Sequence, residues 1–293
     1  MTVWRFGGQA RSTKRTSFGR KLVYEIGLRI AQSQGRDLPL ARYMPRAGQS
    51  VGRLLAAART APCDSLTRLT GGGPIIVLAP HPDDETLGCG GLLAACAAAQ
   101  IPVHIFVLTD GSLSHPNNTV SAQSLSRLRL RETHVALRAL GVKPGALRSG
   151  GLHDGRALLD GAGMRRAARR LARFAVKINA KRLFVAWRHD PHPDHMAAAL
   201  VAERVRAAAP RLRVLHYPIR GRFLPPQTPL ISENWTATRF DVRPFLARKR
   251  RALAAYRSQT TPLLDTGAFA FRFARDEAKP FLSATEMFFE ERR

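Results

Sequence analysis

Residues 75–91 read IIVLAPHPDDETLGCGG, and the change of character within this stretch decides the fold. Ile75 to Ala79 is an unbroken apolar run, bounded by glycines at 71–73 before it and by Pro80 after it. Such a run suits a strand buried on both faces of a parallel sheet, where no alternation with polar residues is needed. A tight polar turn from Pro80 to Glu85 follows, and then a helical pattern over about 86–99.

The same unit recurs along the chain. VHIFVLT (103–109), RLFVAW (182–187) and RVLHY (213–217) have the composition of buried strands, and helical patterns fill 121–140, 161–178 and 194–209. Alternating strands and helices imply βαβ units with right-handed crossovers, hence an α/β fold with a mainly parallel sheet flanked by helices on both faces. In such folds the functional side chains gather on loops at the carboxyl ends of the strands.

The chain has 293 residues, 45% of them hydrophobic, and a formal charge of +26. This much apolar material excludes a disordered chain and supports one large domain. We expect a basic, partly helical N-terminal extension over residues 1–72, with helices near 19–33 and 51–59, and a single catalytic domain over 73–293. Three cysteines, Cys63, Cys89 and Cys96, stand in no metal-ligand spacing, and their odd number argues against a secreted disulfide framework. With no secretory signal and no apolar run of the ~18–20 residues that span a bilayer, a cytoplasmic protein is expected.

Nearly all the basic residues are Arg, and a field of this sign concentrates anionic partners. The strongest charge feature is a helix expected over 164–182, with Arg165, Arg166, Arg169, Arg170, Arg173, Lys177, Lys181 and Arg182 and no acid among them. A solvated outer face is the plain explanation; peripheral contact with an anionic inner membrane surface is the functional one. No helix-turn-helix or other nucleic-acid motif is present, so nucleic acid is not an expected partner. Oligomeric state is left open.

Chemistry concentrates in two places. In Pro80-His81-Pro82-Asp83-Asp84-Glu85 the prolines fix the backbone on either side of His81, and His81 and Asp84 can point at a common centre. Nitrogen and oxygen donors so arranged suit a metal, with Asp83 left beside it as a general base. The second cluster, His189-Asp190-Pro191-His192-Pro193-Asp194-His195, also ends a buried strand and opens a helix. His195 completes a two-histidine, one-carboxylate ligand set, His192 remains as acid or oxyanion stabiliser, and Asp194 is its candidate orienting partner. Either cluster alone is explained by an ordinary helix cap. Two on one rim of a sheet are better explained by a metal site. The same ligand set also serves Fe(II) oxygenases, whose usual scaffold is not βαβ.

The residues APHPDDETLGCGGLLA and PHPDHMAAA resemble the two metal motifs of the PIG-L/LmbE-like de-N-acetylases. Weaker similarity lies in Arg129 to Glu132, in Leu152-His153-Asp154-Gly155 and in Lys249 to Gln259, so that the likeness spans about 73–260. It implies a Rossmann-like sheet and one zinc ion per chain held by His81, Asp84 and His195, with Fe2+ as the substitute. It further implies Asp83 as general base, His192 at the oxyanion or leaving amine, and Arg129 and Asp154 as substrate contacts, Arg131 competing with Arg129. The implied reaction removes the N-acetyl group of an N-acetylglucosamine-type sugar on a glycoconjugate, anionic or lipid-linked given the charge. The alternative is a basic module for anionic lipid or nucleic acid, with a structural metal. His153 and Cys89 are weighed as neighbours of the site and read as structural, and Phe269, Phe271 and Phe273 as a C-terminal strand.

Overall fold

The computed structural model describes residues 49–115, 120–230, 234–264 and 278–291. The expected helix near 19–33 and the Phe269–Phe273 alternation lie outside the described residues. Within them the chain runs α1 (Val51–Thr60), α2 (Leu66–Thr70), β1 (Ile75–Ala79), α3 (Asp84–Ala98), β2 (Val103–Thr109), α4 (Ala122–Leu140), β3 (Leu147–Leu152), α5 (Gly161–Lys177), β4 (Arg182–Ala186), α6 (Pro193–Ala208) and β5 (Arg213–Tyr217). β6 (Trp235–Asp241), α7 (Leu246–Ala254), α8 (Arg257–Thr260) and β7 (Thr285–Glu291) follow. The seven strands form one sheet in the order β3-β2-β1-β4-β5-β7-β6. The first five are mutually parallel, and β7 pairs antiparallel with both β5 and β6.

Successive residues of β1 face opposite layers. Ile75, Val77 and Ala79 join a core with Leu92, Leu93, Ala136 and Leu140 of α3 and α4. Ile76 and Leu78 join one with Met164, Leu171, Ala198 and Val201 of α5 and α6. A sheet covered on both faces explains why its strands read as continuous apolar runs. The architecture is Rossmann-like. Chain order reverses between β1 and β4, which are neighbours, so the crevice at their carboxyl ends is the topological switch point where such folds place ligands.

Helix α3 lies unusually close to its neighbours. A Cβ on Gly88 would stand 2.2 Å from Cδ2 of buried Tyr217, and one on Gly91 2.3 Å from Cγ1 of Val242. A buried ion pair is spliced into the same helix: Lys249 Nζ donates to Leu87 O at 2.9 Å and to Glu286 Oε1 at 2.6 Å. Glu286 accepts in turn from the amides of Gly91 at 2.6 Å and Leu92 at 2.9 Å.

Val51, Leu54, Leu55 and Ala58 of α1 are buried against Trp187, Leu230, Trp235 and Phe289, so the described end of the extension packs onto the sheet. An apolar stripe at helical spacing needs such a partner. On α5, Arg165, Arg166, Arg169, Arg170, Arg173 and Lys177 are exposed, opposite a buried stripe that includes Ala167 and Leu171. Among the described residues no helix is long and apolar enough to cross a membrane.

Candidate metal centre

The turn after β1 carries the first half of the site. Asp83 stands at φ 120°, ψ −30°, a conformation non-glycine residues rarely adopt. Its surroundings hold it there against a cost of about 1–3 kcal/mol. Its amide donates to Glu85 Oε2 at 3.1 Å, and its carboxylate Oδ2 accepts from Arg129 Nη2 at 3.1 Å. Arg129 also donates to Pro82 O at 2.7 Å and Gly111 O at 3.1 Å. Glu85 is fixed by the Thr86 hydroxyl at 2.7 Å and by the Tyr256 hydroxyl. The Lys249–Gln259 segment thus supports the turn from behind, and Ser258 adds bonds to buried Glu132 at 2.7 and 2.6 Å.

The loop after β4 brings the second half. Asp84 Oδ2 lies 3.2 Å from His81 Nδ1 and 3.4 Å from His195 Nε2, so the three expected ligands meet at one oxygen. His81 Nε2 faces Asp194 Oδ2 at 3.1 Å and Asp154 Oδ1 at 3.2 Å. The His192 ring stands edge-on to His81, with centroids 4.7 Å apart. His81, His192 and His195 form one group able to hold a metal ion, and His81, Asp154 and Asp194 a second. A His/Asp cluster capable of chelating a divalent metal is therefore present.

Two features test the fit of a cation. His195 Nδ1 is 2.8 Å from Asp190 Oδ2, a bond that commits Nδ1 to its proton and leaves Nε2 as the ligating nitrogen. Burial opposes charge on His81, yet Asp154, Asp194 and Asp84 together raise its pKa well above the ordinary value. The carboxylates demand a positive charge at this point, and without a metal the imidazolium supplies it. Burial likewise works against an ionised Asp84, but His195 and His81 hold its carboxyl well below the usual range.

The remaining groups differ in state. Burial pushes the Asp83 carboxyl up to about 8, against the pull of Arg129. Burial, with His81, His195 and Arg220, drives the His192 pKa well below its ordinary value. His192 Nδ1 accepts from the Asp194 amide at 3.2 Å, so the neutral ring carries its proton on Nε2.

Other expectations sort themselves by position. Arg129 is buried at the site whereas Arg131, two residues on, is exposed. The Asp194 carboxylate does not orient His192; it accepts from the Gly155 amide at 2.7 Å and the Ala157 amide at 3.1 Å while facing His81, and only its backbone touches His192. Asp154 also accepts from the Leu113 amide at 2.9 Å. His153 lies outside the cluster, its side chain 82% exposed. Cys89 is buried in the apolar core, where burial pushes its thiol up.

All eight site candidates except Asp194 line a single cavity of about 270 Å³, whose far wall is Ile219, Arg220, Phe223 and Phe281. Sequence reasoning passed over that wall, Asp190 and Glu85. The motif HDPHPDH contains Asp190 in plain view, but its role depends on a turn at 219–221 that nothing local announces.

Comparison with known proteins agrees with this geometry. Residues 76–206 match the family model described as PIG-L: GlcNAc-PI de-N-acetylase. A Bacillus cereus protein described as "Probable N-acetyl-alpha-D-glucosaminyl L-malate deacetylase 2" is 27% identical over 199 residues, which are 65% of this chain and 86% of that protein. Among solved structures, a deacetylase of the teicoplanin biosynthetic pathway superposes with a TM-score of 0.59 at 18% identity, covering 74% of this chain and 97% of the other. The N,N'-diacetylchitobiose deacetylase of Pyrococcus horikoshii gives 0.57 at 18% identity, covering 78% and 87%. The chain shares its fold with these deacetylases, and its described residues bear a His/Asp cluster able to hold a metal ion. Fold, family match and cluster together support a metal-dependent deacetylation reaction.

Proposed function

We propose that the chain is a zinc-dependent amidohydrolase of the PIG-L/LmbE-like family that removes the acetyl group from an N-acetylglucosamine-type sugar on a glycoconjugate. The observation that carries this reading is the meeting of His81, Asp84 and His195 within 3.4 Å of one carboxylate oxygen, with Asp83 and His192 opening on the same cavity. The names of the Bacillus and Pyrococcus proteins, both acting on acetylated amino sugars, support the substrate class.

His81, Asp84 and His195 would hold the zinc. A zinc ion so held supplies Lewis acidity toward an amide carbonyl and acidifies water. Asp83, aimed by its bond to Arg129, takes the proton of the attacking water. Neutral His192 offers its Nε2–H to the carbonyl oxygen as negative charge develops there. Water adds to the carbonyl carbon, the proton taken by Asp83 passes to the nitrogen as the C–N bond breaks, and the products are acetate and a free amine. Asp154 and Asp194 keep His81 in place, and Asp154 also lines the cavity.

The test is metal content by mass spectrometry together with acetate release from N-acetylglucosamine and its glycosides, for the wild type and His195→Ala. About one zinc per chain, lost with the substitution along with acetate release, is the expected result. A zinc-loaded wild type that deacetylates none of these sugars would overturn the substrate class. The competing reading, a basic module with a structural metal, rests on the exposed α5 face; salt-sensitive binding to anionic vesicles that survives His81→Ala, without any acetate release, would favour it.

A further inference from the structure

Helix α5 carries six cations and no acid between Gly161 and Lys177, and every one of the six is exposed. Its arginines and lysine put like charges one turn apart at 165/169, 166/170, 169/173 and 173/177. Each such pair works against the helix, and a face whose only task is solvation is better built with Glu or Asp interleaved. Asp160, at the N-cap, stands 3.8 Å from Arg166, but both side chains are well exposed and the pair is worth little. Arg165, Arg169, Arg173 and Lys177 meet no carboxylate among the described residues.

The direction of this face is fixed. Met164, Ala167, Ala168, Leu171 and Ala175, on the other side of the helix, are packed in the core with Ile76 and Leu78 of β1. The cations are therefore held along one side of a rigid rod about 25 Å long. An exposed apolar side chain stands at each end of the row. Leu159, 68% exposed, lies just ahead of the first turn; Val176, 63% exposed, follows Arg173 by three residues and Arg169 by seven, within the cationic stripe.

We propose that α5 docks the chain on an anionic lipid surface, with its cations among the phosphate-bearing headgroups and Leu159 and Val176 against the apolar layer beneath them. Arginine and lysine stems are long enough to lie on that layer while their charges stay at the headgroups. The two apolar side chains favour lipid over nucleic acid, whose phosphate backbone leaves them uncovered. The chain's charge of +26 supplies attraction at a distance; the α5 face supplies the orientation.

Docking there also locates the cavity. Asp154 lines it, and the Gly155 and Ala157 amides hold the Asp194 carboxylate at 2.7 and 3.1 Å. The segment bearing these groups runs directly into α5, so one wall of the cavity is continuous with the N-terminal end of the docked helix. The inference goes beyond the deacetylation reading and does not depend on it.

The test is co-sedimentation of the full chain with vesicles of phosphatidylcholine, alone or mixed with phosphatidylglycerol, at about 0.15 M salt. The wild type is compared with Arg165→Gln/Arg169→Gln/Arg173→Gln and with a charge-matched control, Arg138→Gln/Arg250→Gln/Arg251→Gln, whose arginines are exposed on α4 and α7. We expect the wild type to bind the anionic vesicles and not the neutral ones. The α5 variant should bind about a hundredfold more weakly, each cation at such a surface being worth about fivefold. The control should lose less than about fivefold, because charges beyond a Debye length from the lipid are screened. Leu159→Ser/Val176→Ser should weaken binding on the order of tenfold with all charges kept. The α5 variant should unfold at or above the wild-type Tm, since like-charge pairs are removed, which separates lost docking from lost folding. Absence of wild-type binding, or equal losses in the α5 variant and the control, would overturn the proposal. So would tighter binding to a nucleic acid oligomer at equal phosphate concentration, with the same loss in the α5 variant, which would reassign the face. Acetate release plays no part in this readout, so a chain that deacetylates nothing would remove the function reading and leave the docking result standing.

Discussion

Asp190 and His195 are joined by a 2.8 Å hydrogen bond from imidazole Nδ1 to carboxylate Oδ2, and the same carboxylate anchors the amides of Ile219 and Gly221. One buried group therefore sets both the direction of a metal-binding nitrogen and the course of the cavity wall. Asp190→Asn should lower zinc affinity about 10–100-fold, the usual effect of removing such a partner. Competition with a chromophoric chelator measures it; unchanged affinity would mean that His195 is oriented by packing alone.

Asp83→Asn keeps the shape of the side chain and its bond to Arg129 but cannot accept a proton. We expect full zinc content and a fall in kcat of about 10²–10⁴-fold, the span of general-base contributions. Retained turnover would remove Asp83 from the base role.

The same substitution has a consequence for stability that needs no turnover. Burial raises the Asp83 carboxyl to about 8 in the folded metal-free chain, while an unfolded aspartate titrates near pH 4. The folded state therefore holds the proton more tightly, so the group's contribution is most favourable below about pH 4 and is lost as the pH rises toward 8. Metal-free Asp83→Asn should gain in Tm over the wild type, by more at pH 8 than at pH 5. A gain that is flat with pH would contradict the assignment.

Lys249 and Glu286 are both nearly inaccessible to water and 2.6 Å apart. Lys249→Met leaves a buried carboxylate unpaired and should cost about 3–5 kcal/mol in urea unfolding, with Lys249→Met/Glu286→Gln recovering part of the loss. Additive losses in the double variant would show that the two side chains do not act as a pair.

Much of the fold was legible because the central strands are buried on both faces. β1, β2, β4 and β5 stand out as apolar runs for that reason. β3, LRSGGL, did not: it is an edge strand with two glycines and partial exposure, so neither composition nor alternation marks it. β6 and the end of the sheet were obscured by antiparallel pairing at a distance. In the candidate site, the spacing within two short motifs was enough to anticipate that His81, Asp83, Asp84, His192 and His195 line one cavity. The choice between Arg129 and Arg131 was written in the periodicity of α4, whose buried residues Leu125, Arg129, Thr133 and Ala136 fall three or four apart. The partners of those residues were not legible. Asp190 acts through amides 29 and 31 residues away, and Tyr256 reaches Glu85 across 171. Such links belong to tertiary geometry, for which a single sequence carries no local signal.

The splice of Lys249 and Glu286 into α3 also sets an order of events during synthesis. Gly91 and Glu286 are 195 residues apart, so at about 5–20 residues per second the metal-bearing turn leaves the ribosome some 10–40 s before the strand that completes its helix. Until β7 arrives, the amides of Gly91 and Leu92 in the glycine-rich helix behind Asp84 lack their Glu286 acceptor. The metal centre is encoded early in the chain but becomes rigid late, and a nascent chain shows a chaperone or protease its motif before it shows a finished site.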